Sequence, residues 1–321
     1  MQQPTVTVLI PCNSTDYLFD CLSSIEKQDY SELEILVVLN GSATNELKSL
    51  RQSFKDFSVP LEFVSTARKG IVHALNIGIC LSKNEYIARM DSDDVMPARR
   101  ITAQVAKFQS DTDLVCVGGQ LEYLGNRSSR SHPGYPTKDD DIRHAMYRYS
   151  PFPHPGVMFL KSAVEQAGLY RQNYPYIEDW DLWIRLADVG KMTNLEETTV
   201  YHRLHENQST QLYSQSQQAS IQHLSMSILQ KIICGPEQLV IQQEGIFAPQ
   251  KLVGLMLQLI LGGTTFKRSG IFGKRDLRRS LAGYIYVRGV TTNSTRIRFI
   301  LSRIAVAMID PTLVLAKVIG R

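Results

Sequence analysis

The sequence predicts an α/β fold: a mostly parallel β-sheet with helices on both faces, followed by a helical, basic C-terminal region. Three observations carry this. Through the first half of the chain, short runs that are apolar on both faces alternate with helix-patterned segments, as parallel strands covered on both sides require. The 321 residues, 43% hydrophobic and 21% charged, suffice for one large domain and a smaller appendix, expected at 1–211 and 212–321. Charge is uneven as well. Over residues 264–321 twelve Lys or Arg face two Asp, although the whole chain carries only +4, so a mildly acidic body is joined to a strongly basic tail.

The elements follow in order. "TVTVLI" (5–10) is a strand, and 17–25 is an amphipathic helix with Leu18, Cys21, Leu22 and Ile25 on one face. "LEILVVL" (33–39) is a second strand closed by the turn signal Asn40-Gly41. "LEFV" (61–64) is a third, followed by a helix through Ile71, Ala74, Leu75 and Ile79. "EYIARM" (85–90) is a fourth, with a helix from Pro97, where a first-turn proline is tolerated, to Phe108. "DLVCVGG" (113–119) is a fifth. From 123 to 153 Gly, Pro, Ser and charge break the pattern, which reads as a surface loop with one helix near 140–147. "GVMFLKSAVEQAG" is a strand and a helix stopped by Gly168, and a further helix spans about 179–189 before Gly190. After 211 the segments are mostly helical. "KLVGLMLQLILGG" is apolar but short of the roughly 20 residues that cross a hydrocarbon core.

Other classes are disfavoured. The five cysteines (Cys12, Cys21, Cys80, Cys116, Cys234) are scattered and never at CxxC spacing, which argues against a disulfide framework or a zinc site and for a reducing, cytoplasmic setting. No signal-peptide pattern opens the chain.

Three constellations could carry chemistry. The strand ending in Met90 runs into Asp91, Asp93 and Asp94, like charges that need a counter-cation or solvent. Residues two apart on a strand point the same way, so Asp91 and Asp93 can converge on one hard cation, Mg²⁺ or Mn²⁺, beyond the carboxyl end of the sheet. Taken alone, the cluster is more simply an acidic turn capping the next helix. In "YIEDWDLWIRLADVG", Glu178, Asp179 and Asp181 open a helix, where acids cap free amides. Asp181 pairs naturally with Arg185 one turn on, whereas Glu178 or Asp179 could serve as a general base. Trp183 reads as core and Trp180 as a wall for an acceptor sugar. Lastly, "VYHRLHENQSTQ" carries His205, which gains meaning only if folding brings it to the aspartate cluster.

In this order, these elements resemble the family 2 glycosyltransferases, inverting enzymes of GT-A fold, over roughly residues 5–210. The segments similar to the family are "VLIPCNSTDYLFDCLSSIEKQDYSELEILVVLNGS", "RKGIVHALNIGICLSKNEYIARMDSDDVMPARRITAQVAKF" and the stretch from "HPGVMFL" to "HENQST". The resemblance implies a sugar-nucleotide donor, a divalent cation, and transfer to a glycan or lipid-linked acceptor in cell-surface polysaccharide synthesis. By position it assigns Pro11, Asn13, Asn40, Lys69, Gly70 and Asp91 to the donor, and Asp91, Asp93 and His205 to the metal. Asp179 becomes the base, with Glu178 beside it. Two departures fall at the nucleotide-base pocket. Leu39 stands where the family usually has an aspartate, and the first loop is one residue shorter and lacks an aromatic before Asn13. A UDP-sugar is the default donor, with GDP and dTDP forms open.

The tail, "TFKRSGIFGKRDLRRSLAGYIYVRG" and beyond, mixes basic and apolar residues and is broken at Asp310-Pro311, so it reads as an interfacial segment meeting an anionic membrane surface at the inner face of the cell membrane. No nucleic-acid motif accompanies the charge. The rival readings are a nucleotidyltransferase, which would carry a glycine-rich basic loop after the first strand, and a non-catalytic carbohydrate-binding relative, which would tend to lose Asp91, Asp93 or Asp179.

Overall fold

The computed structural model of the full chain describes residues 3–124, 134–146 and 149–205, together with Ser220 and Leu224. Two compact units divide the chain, Met1–Ile221 and Gln222–Arg321, and the description that follows is of the first.

Seven strands, β1 (Val6–Cys12), β2 (Leu33–Leu39), β3 (Leu61–Ser65), β4 (Tyr86–Arg89), β5 (Leu114–Tyr123), β6 (Met158–Leu160) and β7 (Lys191–His202), form one sheet in the order β3-β2-β1-β4-β6-β5-β7. β6 runs antiparallel to β4 and β5, and every other pairing is parallel, so the mostly parallel sheet expected from the sequence is present. The apolar strands face two cores. Val6, Val8, Ile10 and Cys12 of β1 point into one, and Leu9 into the other; Ile35 and Val37 of β2 separate from Leu36 and Val38 in the same way. That is the two-residue alternation of a pleated strand, here with apolar groups on both sides.

The helices α1 (Leu18–Glu26), α2 (Leu47–Ser53) and α4 (Arg100–Ser110) cover one face, through Leu22, Leu50, Ile101 and Val105. On the other face lie α3 (Ile71–Leu81), α5 (Asp139–Ala145), α6 (Lys161–Gln166) and α7 (Glu178–Leu186), through Leu75, Ile142, Val164 and Trp183. Each fully buried aliphatic side chain contributes about 1.5–3 kcal/mol relative to an exposed one, which fixes the sheet between its two layers.

Several boundaries differ from the sequence reading, each for a physical reason. The helix expected from Pro97 begins at Arg100, because the Pro97 and Ala98 carbonyls accept from Gln28 Nε2 (2.8 Å) and the Asp29 amide (3.0 Å) at the end of α1. The fifth strand runs on to Tyr123, four residues beyond the expected 119, because β7 pairs with it. β7 itself was not foreseen. Its residues, "KMTNLEETTVYH", are largely polar, which the outermost strand of a sheet tolerates. The short helix α2 was also missed, having a single buried residue, Leu50, and hence little apolar pattern. The basic tail expected at an anionic membrane lies outside the described residues. Among those described, no helix is long and apolar enough to cross a membrane.

Candidate active site

The carboxyl ends of four adjacent parallel strands, β3, β2, β1 and β4, open at one edge of the sheet. The residues that the resemblance assigned to a donor follow those ends: Pro11 and Asn13 at β1, Asn40 after β2, Lys69 and Gly70 after β3, and Asp91 after β4. Asn40 is buried, and its backbone amide donates to Cys12 O at 2.8 Å, locking the turn after β2 to the end of β1. Gly70, at φ 115°, turns the chain into α3 through a conformation that L side chains rarely adopt. Leu39, at the position where an aspartate was expected, is fully buried in the core.

Asp91, Asp93 and Asp94 offer carboxylate oxygens that all lie within 4.8 Å of one another. The protein itself supplies much of the compensating charge. Arg89, 1% exposed, grips Asp91 through both terminal nitrogens, at 2.8 and 2.7 Å. His205 Nε2 lies 2.8 Å from Asp93 Oδ2. The fully buried Asp94 accepts from the Arg203 amide at 2.9 Å, and His202 Nδ1 sits at 2.9 Å. The Asp91 carboxyl is nevertheless pushed up to about 6, first by desolvation; Arg89 opposes the rise, and Asp93 and Asp94 add to it. Burial disfavours a charge on His202, yet the hydrogen bond and charge of Asp94 hold it above its ordinary value. Arg89 holds both oxygens of Asp91 and His202 both oxygens of Asp94, so the group that could hold a divalent cation, Asp91, Asp93 and Asp94 with His205 beside it, is already partly charge-compensated. The carboxylate oxygens suit Mn²⁺ or Mg²⁺, whose shells admit further oxygen ligands.

β7 delivers the histidines. Beyond His202, Arg203 donates from Nε to Asp93 O (2.9 Å), reaches Asp20 with Nη2 (2.9 Å), and stacks 4.4 Å above the Tyr17 ring. The same ring lies 5.4 Å from that of His205. Sequence reasoning selected His205 alone. Arg89, His202 and Arg203 were missed, although "YHRLH" already placed two histidines three residues apart.

A second buried cation stands behind the cluster. Among the described residues Arg100 has no carboxylate partner; it donates to the carbonyls of Arg89 (2.7 Å), Pro155 (2.8 Å) and Val157 (3.0 Å). Burial, then the neighbouring Arg89, lowers its pKa to about 9. It ties the end of β4 to the chain entering β6.

The second acidic group opens α7. Asp181 is taken by Arg185 (2.8 Å) and Arg171, so the structural role expected for it holds. Glu178 is buried, and its Oε2 has no hydrogen-bond partner among the described residues. Desolvation, helped by the charge of Asp179, pushes its carboxyl up to about 7. Asp179 is half-buried, accepts from Ser150 Oγ at 2.8 Å, and is raised by desolvation against the lowering effect of that hydrogen bond. Arg89 pairs with Asp91, and its charge also acts on Glu178 and Asp179, so the two acidic groups lie within electrostatic range of one guanidinium.

Trp180 does not wall an acceptor site. It is 3% exposed, and its Nε1 donates to Met146 O at 2.8 Å, so it packs behind the acids with no open face for a sugar. Trp183 is fully buried, as expected of core. The thiols of Cys12, Cys21 and Cys116 are all raised by burial, which makes them poor nucleophiles.

The family described as "Glycosyl transferase family 2" matches residues 7–168, from β1 through α6. A glycosyltransferase of Haemophilus influenzae is 30% identical over 227 residues, 67% of this chain and 70% of that protein. The amylovoran biosynthesis glycosyltransferase AmsE of Erwinia amylovora is 29% identical over 174 residues, 54% of this chain and 65% of that protein. Among solved structures, S. aureus TarS (residues 1–349, in complex with UDP-GlcNAc) superposes with a TM-score of 0.56 at 12% identity, covering 91% of this chain and 74% of that one, a likeness of fold. With an acid-tipped parallel sheet of GT-A type and a family match that spans half of its length, the chain belongs to glycosyl transferase family 2.

Proposed function

We propose that this glycosyltransferase moves a sugar from a nucleotide-sugar donor, a UDP-sugar by default, to a hydroxyl of a glycan or lipid-linked acceptor in cell-surface polysaccharide synthesis, with inversion at the anomeric carbon. The observation that carries the reading is the pair of acidic groups on which the charge of Arg89 acts: Asp91, Asp93 and Asp94 at the strand end, and Glu178 with Asp179 at the start of α7. The amylovoran relative and the UDP-GlcNAc complex support the polysaccharide and donor classes.

Asp91, Asp93 and His205 would hold a divalent cation, whose charge offsets the charge that builds on the departing nucleoside diphosphate. Pro11, Asn13, Asn40, Lys69 and Gly70 line the donor side, where Lys69 adds a positive charge. Asp179 takes the proton of the acceptor hydroxyl as its oxygen attacks the anomeric carbon and the bond to the diphosphate breaks. One displacement from the face opposite the leaving group inverts the centre. Glu178, whose carboxyl burial pushes up to about 7, is secondary.

The test sets turnover beside donor binding, the latter read as a thermal shift with UDP-sugars with and without Mn²⁺. Asp179→Asn keeps the metal-dependent shift and loses transfer by a factor on the order of 10². Asp93→Ala loses the shift. Near-wild-type turnover by Asp179→Asn, or an unchanged Mn²⁺-dependent shift in Asp93→Ala, would refute the corresponding assignment.

A further inference from the structure

We infer that Ser150 is a positioning residue for Asp179: its hydroxyl fixes the aim of the carboxylate and holds it ionised for attack. The inference rests on the reading of Asp179 as the base. Ser150 Oγ donates to Asp179 Oδ2 at 2.8 Å across a sequence separation of 29 residues, so the contact is a product of the fold and not of the helix start.

The segment carrying Ser150 is anchored from behind. Pro151 restricts the backbone, and its carbonyl accepts from the buried Asn194 Nδ2 at 2.9 Å; the same amide reaches Pro136 O at 2.8 Å. Phe152 is buried against Trp183, with ring centroids 5.3 Å apart. A serine on a free loop loses conformational entropy when it binds a carboxylate. Here the backbone is already set, and a charge-assisted hydrogen bond gains strength from that preorganisation.

The groups facing Asp179 explain why such a donor matters. Burial opposes its charge; Glu178 beside it is acidic; the phenols of Tyr135 and Tyr170 lie within reach of its charge; and Arg89 of β4 supplies the one opposing cation in this set. Ser150 donates a hydrogen bond to the carboxylate, which favours its ionised form. A base works only when deprotonated, and the rate falls as pH drops through its midpoint. Removing the hydroxyl raises that midpoint and moves the acid limb of the rate profile to higher pH.

The test uses the full-length protein labelled with carboxyl-¹³C aspartate. The resonance absent from the Asp179→Asn spectrum reports Asp179. In Ser150→Ala its titration midpoint rises, transfer at neutral pH drops roughly tenfold with the acid limb displaced upward, and Ser150→Thr restores both. An unchanged Asp179 midpoint in Ser150→Ala overturns this inference alone. Equal loss of rate in Ser150→Ala and Ser150→Thr, with no movement of the acid limb, would make the role one of packing and overturns it too. Near-wild-type turnover by Asp179→Asn instead overturns the base assignment on which it rests.

Discussion

Glu178 and Asp179 are sequence neighbours with different fates, because successive helix positions point about 100° apart. Asp179 finds a hydroxyl donor, whereas Glu178 turns into a buried site that leaves one oxygen unpartnered among the described residues. That burial has a consequence for stability. With its folded pKa raised from 4.5 to about 7, Glu178 binds a proton more readily in the folded chain than in the unfolded one. Stability therefore falls as pH rises through that window, the reverse of a salt-bridged carboxylate. Glu178→Gln abolishes the titration. Its melting temperature relative to wild type is expected to improve between pH 5 and pH 8, as checked by thermal unfolding across that range. A pH-independent difference would show that Glu178 is not held protonated by the fold.

At the scale of elements, β7 matters most for the site, since its exit supplies His202, Arg203 and His205. Its pairing with β5 is irregular, with register shifts near Gly118, Gln120 and Leu121. Gly119 makes that pairing close: a Cβ there would stand 2.2 Å from Thr199 Cγ2 and 2.8 Å from the Glu197 carbonyl oxygen. The Glu197 carbonyl is backbone and cannot swing aside, so Gly119→Ala should cost about 1–3 kcal/mol, as overpacking does. Denaturant unfolding measures it, and a change below about 0.5 kcal/mol, the size of an ordinary surface substitution, would contradict the register of β5 and β7. β7 carries His202 and leads into His205, so the variant should also weaken Mn²⁺-dependent donor binding.

At the scale of the molecule, an acidic body carries a basic tail. We propose that residues 264–321, with their surplus of ten positive charges, hold the enzyme at an anionic membrane where a lipid-linked acceptor would be presented. Vesicle flotation comparing the full chain with a truncation after residue 263 tests this. The full chain should float with anionic but not neutral vesicles, in a salt-sensitive way, and equal partitioning of the two forms would remove the idea. What was legible beforehand follows from local chemistry. Apolar runs such as "LEILVVL" must be buried on both faces, which is enough to demand a parallel sheet under two helical layers, and Asp91 and Asp93 could be placed at a strand end because strand geometry is periodic. The contacts of greatest consequence have no such local mark. Arg89 looks like one more residue of β4 until Asp91 pairs with it and its charge reaches the distant Glu178 and Asp179. Ser150 lies in a stretch without periodicity, and β7 is polar, because an edge strand is stabilised by its ladder with β5 more than by its own side chains. Trp180 reads as a free aromatic surface until Met146 receives its indole. Each of these depends on which segments meet in space, and a hydrogen bond between residues far apart in the chain leaves no pattern in either one.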